Sequence, residues 1–319
     1  MRPALKLTLG AAAATVGLVA FNDLVRWNVG PVPRCVVGEP HFYQWREGAI
    51  YYEAAGPLSA PPLLLAHGIN AAASSYEMRQ IFAPLAQRFR VYLPDMLGYG
   101  RSERPGIHYS AGTLIDMWSD FCQDICTGEG NGPVNVIASS LSAAHLVGAA
   151  ARHPKRFGQL LLVCPTGLET LASPATPAQD ALYALLSSPV LGTALFNGLA
   201  SRVSLGTFLR RQVFADPDLV TTDMVNDYYA TSHQPGAKWL PAAFVSGQLN
   251  YSVGRDLAQI PNPLHLAWGR AAGLTPLSQA EAFRSVRRDT TLEIFERSGL
   301  LPHEEQPEAF VRWALGVLG

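Results

Sequence analysis

The residues best suited to chemistry lie in the segment Ala138-Ser139-Ser140-Leu141-Ser142. Val134 to Ala138 is apolar and predicts a buried β-strand, and Leu141 to His153 has the spacing of a helix. A serine in the tight turn between them would expose its hydroxyl at a helix N-terminus, whose partial positive charge favours an oxyanion. Ser140 is therefore a candidate nucleophile. The alternative is that this segment is serine-rich only because a tight turn needs small residues.

Other kinds of chemistry find little support in the chain. The eight histidines are scattered, with no HExxH motif and no closely spaced pair, so no metal site is predicted. The four cysteines are too few for a disulfide scaffold. Neither a phosphate-binding loop nor a dinucleotide fingerprint is present, which predicts no cofactor.

Composition describes an ordinary globular protein of 319 residues. Hydrophobic residues make up 48% of the chain, which is enough to build a large core, and charged residues make up 15%. This composition is too apolar for a disordered chain. The net charge is -1, and no basic stripe marks a nucleic-acid surface. We therefore expect that no nucleic acid is among its partners.

The elements that must position Ser140 alternate regularly. Short apolar strands and helical segments, such as Tyr76 to Arg88, follow one another through residues 41–165 and resume over 255–319. This alternation predicts an α/β fold whose mostly parallel sheet is covered by helices on both faces. Residues 166–254 contain helical runs and no clear strand, which predicts a helical cap inserted into that core.

The N-terminal segment, residues 1–40, differs from the rest. It begins with the basic residues Arg2 and Lys6, continues with the apolar run Leu7 to Phe21, and then becomes a linker interrupted by proline and glycine over 22–40. This is the shape of a signal peptide or membrane anchor, so we expect membrane association or export through residues 4–21. The alternative is an alanine-rich helix that packs on the domain of a cytoplasmic protein.

Four short segments, in this order, together resemble the α/β-hydrolase fold family. They are His67-Gly68, Asp95-Met96-Leu97-Gly98-Tyr99-Gly100-Arg101-Ser102, the serine segment 138–142, and Leu301-Pro302-His303-Glu304-Glu305-Gln306-Pro307-Glu308. The resemblance implies a single sheet of about eight strands with the cap between strands 6 and 7. It also implies that Ser140 is the nucleophile, and that the backbone N–H groups of Ile69 and Leu141 form the oxyanion hole.

The resemblance also locates the two partners of the serine, and both are substituted. The acid should follow the strand Pro263 to Trp268, where its position falls on Ala272. The histidine should follow Gly299, where the chain has Leu300. Because a lone buried carboxylate would be costly, the loss of the acid is consistent with the loss of the histidine.

Two other histidines remain as candidate bases. His303 matches a second histidine of the family, usually structural, and lies three residues beyond the expected position. His233, in the predicted cap, would have to reach down onto Ser140. His67 and His145 are expected to be structural, and Glu169 has no histidine to orient.

Two functions follow from these residues. The sequence favours a non-catalytic or atypical member of the fold that binds a small apolar molecule beneath the cap, because Ala272 and Leu300 make the pocket apolar. The alternative is a membrane-associated serine esterase or lipase-like hydrolase that uses Ser140 with a non-standard base.

Overall fold

The computed structural model describes residues 3–27, 29–127 and 132–319, with side chains from residue 13 onward. Eight strands form one sheet: β1 Glu39–Trp45, β2 Gly48–Ala55, β3 Pro62–Ala66, β4 Arg90–Pro94, β5 Val134–Ser139, β6 Phe157–Val163, β7 Leu264–Gly269 and β8 Thr291–Phe295. Their order is β1-β2-β4-β3-β5-β6-β7-β8. β1 and β2 form the antiparallel edge. The other six strands, β3 to β8, are parallel to one another. The predicted α/β fold is confirmed.

Helices cover both faces of the sheet and build the cap. They are α1 Pro3–Trp27, α2 Arg79–Leu85, α3 Ala111–Phe121, α4 Ser140–Arg152, α5 Pro177–Ser187, α6 Leu191–Leu199, α7 Arg202–Phe208, α8 Thr222–Ser232, α9 Trp239–Val245, α10 Gly254–Gln259, α11 Ser278–Val286, α12 Pro302–Glu305 and α13 Pro307–Leu318. A 3₁₀ turn, Ser75–Met78, precedes α2. Helices α5 to α9 lie between β6 and β7, as the predicted cap requires.

The carboxyl ends of the parallel strands bring distant loops to one edge of the sheet. Ala66, at the end of β3, pairs with Ala138 in β5, so the loop that begins at His67 lies beside the serine turn. Gly269 pairs with Phe295 at the ends of β7 and β8, so the loops carrying Ala272 and Leu300 are also neighbours. This edge is where parallel sheets bind ligands.

The N-terminal helix differs from the prediction. Asn22 and Asp23 do not end it, and α1 continues to Trp27. The side chain of Asn22 is used for packing instead, because its Nδ2 donates to Val190 O at 3.1 Å and its Oδ1 accepts from Asn197 Nδ2 at 3.0 Å. The predicted linker over 22–40 is therefore wrong for residues 22–27, which are helical, and Asn22 is hydrogen-bonded to the cap.

Among the described residues, a single helix with the length and apolarity of a membrane span does not occur. Helices α5 and α6 reach that length and apolarity only together, and they are bent by 93° relative to each other.

Close backbone packing, which only glycine permits, positions the loop after β8. A Cβ added to Gly299 would lie 2.2 Å from Val213 O in the cap, and one added to Gly269 would lie 1.8 Å from Gly299 O. Core and cap therefore meet through backbone at the residue before Leu300.

We expect Gly299→Ala to destabilise the protein by about 2 kcal/mol, because the added methyl group forces backbone apart. Gly273→Ala, in the loop after β7, is the matched control: its added Cβ meets nothing within 4 Å. Thermal unfolding should show a Tm lower by several degrees for the first variant and little change for the second. Equal Tm values would mean that the Gly299 loop relaxes freely.

Candidate functional site

Ser140 occupies a strained backbone conformation between β5 and α4. Its φ is +53°, in the left-handed region that residues with a Cβ rarely adopt. Ser142 Oγ, fully buried two residues further on, donates to His67 O at 2.6 Å and connects the serine turn to the loop after β3. The small residues at 138 and 142 allow this close approach.

A cavity of about 320 Å³ lies above Ser140, between the sheet edge and the cap. Its walls are mostly apolar and come from both sides. They comprise Gly68, Ile69, Asn70, Glu77, Ser139, Ser140, Cys164, Thr166, Thr170, Leu171, Phe208, Leu209, Val213, Tyr228, Phe244, Leu274, Thr275, Leu300 and Leu301. Ile69, one predicted oxyanion donor, is part of the wall. Leu141, the other, is fully buried in the first turn of α4, where its N–H has no preceding helical carbonyl to bond.

Leu300 lines this cavity together with Ser140. Its N–H donates to Val213 O at 2.8 Å. The carboxylate of Glu305 supports the same junction, since it accepts from Gly299 N at 2.6 Å and from Ala215 N at 2.7 Å. Ala272 is buried, and its N–H donates to Gly269 O at 3.2 Å.

Neither candidate base contacts Ser140. His303 is fully buried, with Nε2 3.5 Å from Glu77 Oε1 and its ring against Phe310. His233 stacks on Tyr229 with ring centroids 3.9 Å apart, and it lines a separate cleft between the cap and α1.

The two histidines expected to be structural are held by backbone groups. His67 Nε2 accepts from Met96 N–H at 3.0 Å, so the ring is neutral and its Nδ1–H faces Gly68 O at 2.8 Å. His145 Nε2 lies 2.9 Å from Leu249 O, and burial lowers its pKa to about 4. In the part of the chain that the structure describes, no histidine nitrogen hydrogen-bonds to Ser140 Oγ. Over the same residues, no three potential metal ligands lie close enough together to hold an ion.

The structure adds a residue that the sequence interpretation missed. Glu77, in the 3₁₀ turn before α2, is 3% exposed and lines the cavity. Both of its carboxylate oxygens accept from Gly68 N–H, each at 3.1 Å. A Cβ built on Gly68 would lie 3.2 Å from Glu77 Oε2 and 3.5 Å from Ser140 Cβ, so the carboxylate and the serine flank one backbone position.

Electrostatic neighbours keep Glu77 ionised. Burial alone would raise its pKa, but His303 and the hydroxyl of Ser139 bring the pKa below its ordinary value. One sequence signal for this residue exists: Glu77 is the only acidic residue between Glu53 and Asp95.

A second buried carboxylate lies behind Glu77 and is paired differently. Glu304 forms an ion pair with Arg79, which also donates to Tyr76 O at 2.9 Å. Burial raises the pKa of Glu304 to about 8, although Arg79 opposes the shift. Glu304 does not line the cavity.

We expect Ser140→Gly to be about 1–2 kcal/mol more stable than Ala143→Gly, because only the first substitution relieves a positive φ. Ala143 is the control, three residues further along α4 at an ordinary helical position, where glycine is unfavourable. The measurement is thermal unfolding of both variants beside the parent. If Ser140→Gly lowers Tm as much as Ala143→Gly does, the turn stores no strain.

Comparison with known proteins gives consistent matches. The family described as "Alpha/beta hydrolase family" matches residues 63–313. An uncharacterized protein of Mycobacterium tuberculosis is 25% identical over 79% of this chain and 74% of its own length. A 2-hydroxymuconate semialdehyde hydrolase of Pseudomonas sp. is 25% identical over 79% of this chain and 84% of its own.

Solved structures match the fold. A serine hydrolase involved in carbazole degradation superposes with a TM-score of 0.71 at 20% identity, over 88% of this chain and 99% of that one. A bacterial membrane phospholipase A has a TM-score of 0.69 at 22% identity, over 99% and 96%. Since the family match covers most of the chain, this protein belongs to the alpha/beta hydrolase family.

Proposed function

We propose that this chain binds a small, mostly apolar molecule in the cavity beneath the cap, and that Ser140 does not work there in a Ser-His-acid triad. The observation that carries the proposal is Leu300, which the family resemblance aligns with the histidine and which lines the same cavity as Ser140. A concave site with apolar walls and a few polar groups is the usual form of a small-molecule site.

Magnitudes support this proposal. Removing the base of a serine hydrolase lowers kcat by about 10⁶-fold. Binding and the oxyanion hole then leave a rate enhancement of only about 10³ to 10⁴ over the uncatalysed reaction in water. His303 and His233 lie elsewhere and make no contact with Ser140 that would restore it.

The carboxylate of Glu77 also disfavours acyl transfer. An oxyanion held by Ile69 N–H would develop beside a carboxylate that is bonded to the preceding residue, Gly68. Two negative charges at short range in a buried site repel each other strongly. A neutral or positively charged ligand meets no such penalty.

A second candidate function is hydrolysis through Ser140 with a non-standard base. One observation favours it: Ser140 keeps a strained conformation, and strain of this kind clusters at working active sites. The Pseudomonas relative is named as a hydrolase, which agrees with this candidate.

Restoring the two missing groups separates the candidates. We expect the parent protein to hydrolyse p-nitrophenyl butyrate no faster than its Ser140→Ala variant. The double variant Ala272→Asp/Leu300→His should gain at least about 10²-fold, because the serine then has an oriented base. Adding Ser140→Ala to the double variant is the matched control and should abolish the gain.

Two results would contradict the proposal. Parent activity that disappears in Ser140→Ala, together with fluorophosphonate labelling of Ser140, would establish the hydrolase. A folded double variant without any gain in activity would mean that Ala272 and Leu300 are not the partner positions.

We also propose that the protein associates with membranes through α1 and the adjoining cap helix α6. On α1 the side chains of Val16, Phe21 and Trp27 are exposed, and on α6 those of Leu191 and Leu195 are exposed. Since α1 packs on α6, these side chains enlarge one apolar surface, a form typical of proteins that lie on a bilayer. Within the expected segment 4–21, the side chains of residues 4–12 lie outside those described.

We expect Phe21→Ser/Trp27→Ser to weaken binding to phosphatidylcholine and phosphatidylglycerol vesicles at least about tenfold, because two large side chains lose their apolar burial. Val37→Ser is the matched control: Val37 is 96% exposed but lies outside both helices. Co-sedimentation of the full chain measures both. If the parent protein does not bind vesicles, the cytoplasmic alternative is favoured. If both variants lose the same amount of vesicle binding, the membrane contact does not depend specifically on Phe21 and Trp27.

A further inference from the structure

The carboxylate of Glu77 forms the charged end of an otherwise mostly apolar cavity. Resting on the proposed binding function, we propose that the ligand is an apolar molecule with a hydrogen-bond-donating head group, above all a protonated amine, which Glu77 receives beside Ser140. Carboxylate- and phosphate-bearing molecules are the class that the cavity rejects.

The bonding of Glu77 leaves it able to accept one more donor. A carboxylate offers about four acceptor positions. Its protein neighbours are Gly68 N–H, shared between both oxygens, His303 Nε2 at 3.5 Å from Oε1, and the Ser139 hydroxyl. Gly68 N–H takes one position on each oxygen and the Ser139 hydroxyl takes a third, whereas His303 Nε2 lacks hydrogen-bond geometry, so at most three positions are filled. Because the residue also lines the cavity, a ligand can reach what remains.

The charges around Glu77 leave its negative charge incompletely balanced. His67 is neutral, because its Nε2 accepts from Met96 N–H. The guanidinium of Arg79 donates to Glu304 and to Tyr76 O, and no hydrogen bond joins it to Glu77 among the described residues. Within the part of the chain that the structure describes, His303 is the remaining cationic candidate in contact with Glu77, and its 3.5 Å separation lacks the geometry of a hydrogen bond. A cation in the cavity would therefore complete the pairing of a buried charge.

The remaining walls define the rest of the ligand. Side chains such as Leu171, Phe208, Val213 and Leu300 offer only apolar contact. The volume of about 320 Å³ corresponds to roughly ten water-sized groups. An eight-carbon chain with one polar end matches this size and pattern.

The experiment compares three probes of equal length: n-octylamine, 1-octanol and octanoate. Binding to the full-length protein is measured by isothermal titration calorimetry at neutral pH. We expect octylamine to bind at least about tenfold more tightly than octanoate, with octanol between them, because a charge-assisted hydrogen bond replaces a charge repulsion. Glu77→Gln should abolish this order. Glu304→Gln, which changes a buried carboxyl group outside the cavity wall, is the matched control and should keep it.

Each outcome decides a separate point. If octanol and octylamine both fail to bind, the proposed binding function fails. If octanol binds and all three affinities agree, the cavity binds ligands but the role of Glu77 is overturned. A preference for octanoate, or an amine preference that survives in folded Glu77→Gln, also overturns it. Should Glu77→Gln fail to fold, the order of the three probes on the parent protein still decides.

Discussion

The arrangement of the site depends on the burial of one carboxylate. A charged group removed from water is strongly destabilising unless polar neighbours replace its hydration. Glu77 accepts a hydrogen bond from Gly68 N–H, in the loop after β3, and His303 of α12 lies 3.5 Å from its carboxylate. Satisfying this single charge therefore draws together the loop beside Ser140 and the C-terminal segment.

This constraint also distinguishes the surroundings of His303 from those of Leu300. His303 contacts Glu77 from a fully buried position, whereas a side chain at 300 faces the cavity. Removing His303 would leave a buried carboxylate short of a partner, which is costly. A residue at position 300 does not have to pair with a buried carboxylate, so an apolar residue is tolerated there.

The sequence predicted the sheet well because its strands are short, apolar and separated by helices, a signal that depends only on neighbouring residues. The assignment of Ala272 and Leu300 to the positions of the acid and the histidine rests on motif position alone and stays a prediction. The end of α1 was predicted wrongly, since Asn22 gains its partners from Val190 and Asn197, far along the chain. Glu77 was missed likewise, because its partner His303 lies more than two hundred residues away and no local pattern connects them.

Leu300 links the chemistry of the site to the closure of the cap. It packs against the core cluster beneath the cap and against the cluster of cap residues that includes Leu209 and Val213. A histidine in this position would need a polar partner in a largely apolar wall, and Ala272 supplies none. Leucine instead contributes apolar contact to both bodies at the point where Gly299 and Val213 meet through backbone. Leu300 therefore strengthens the junction of cap and core.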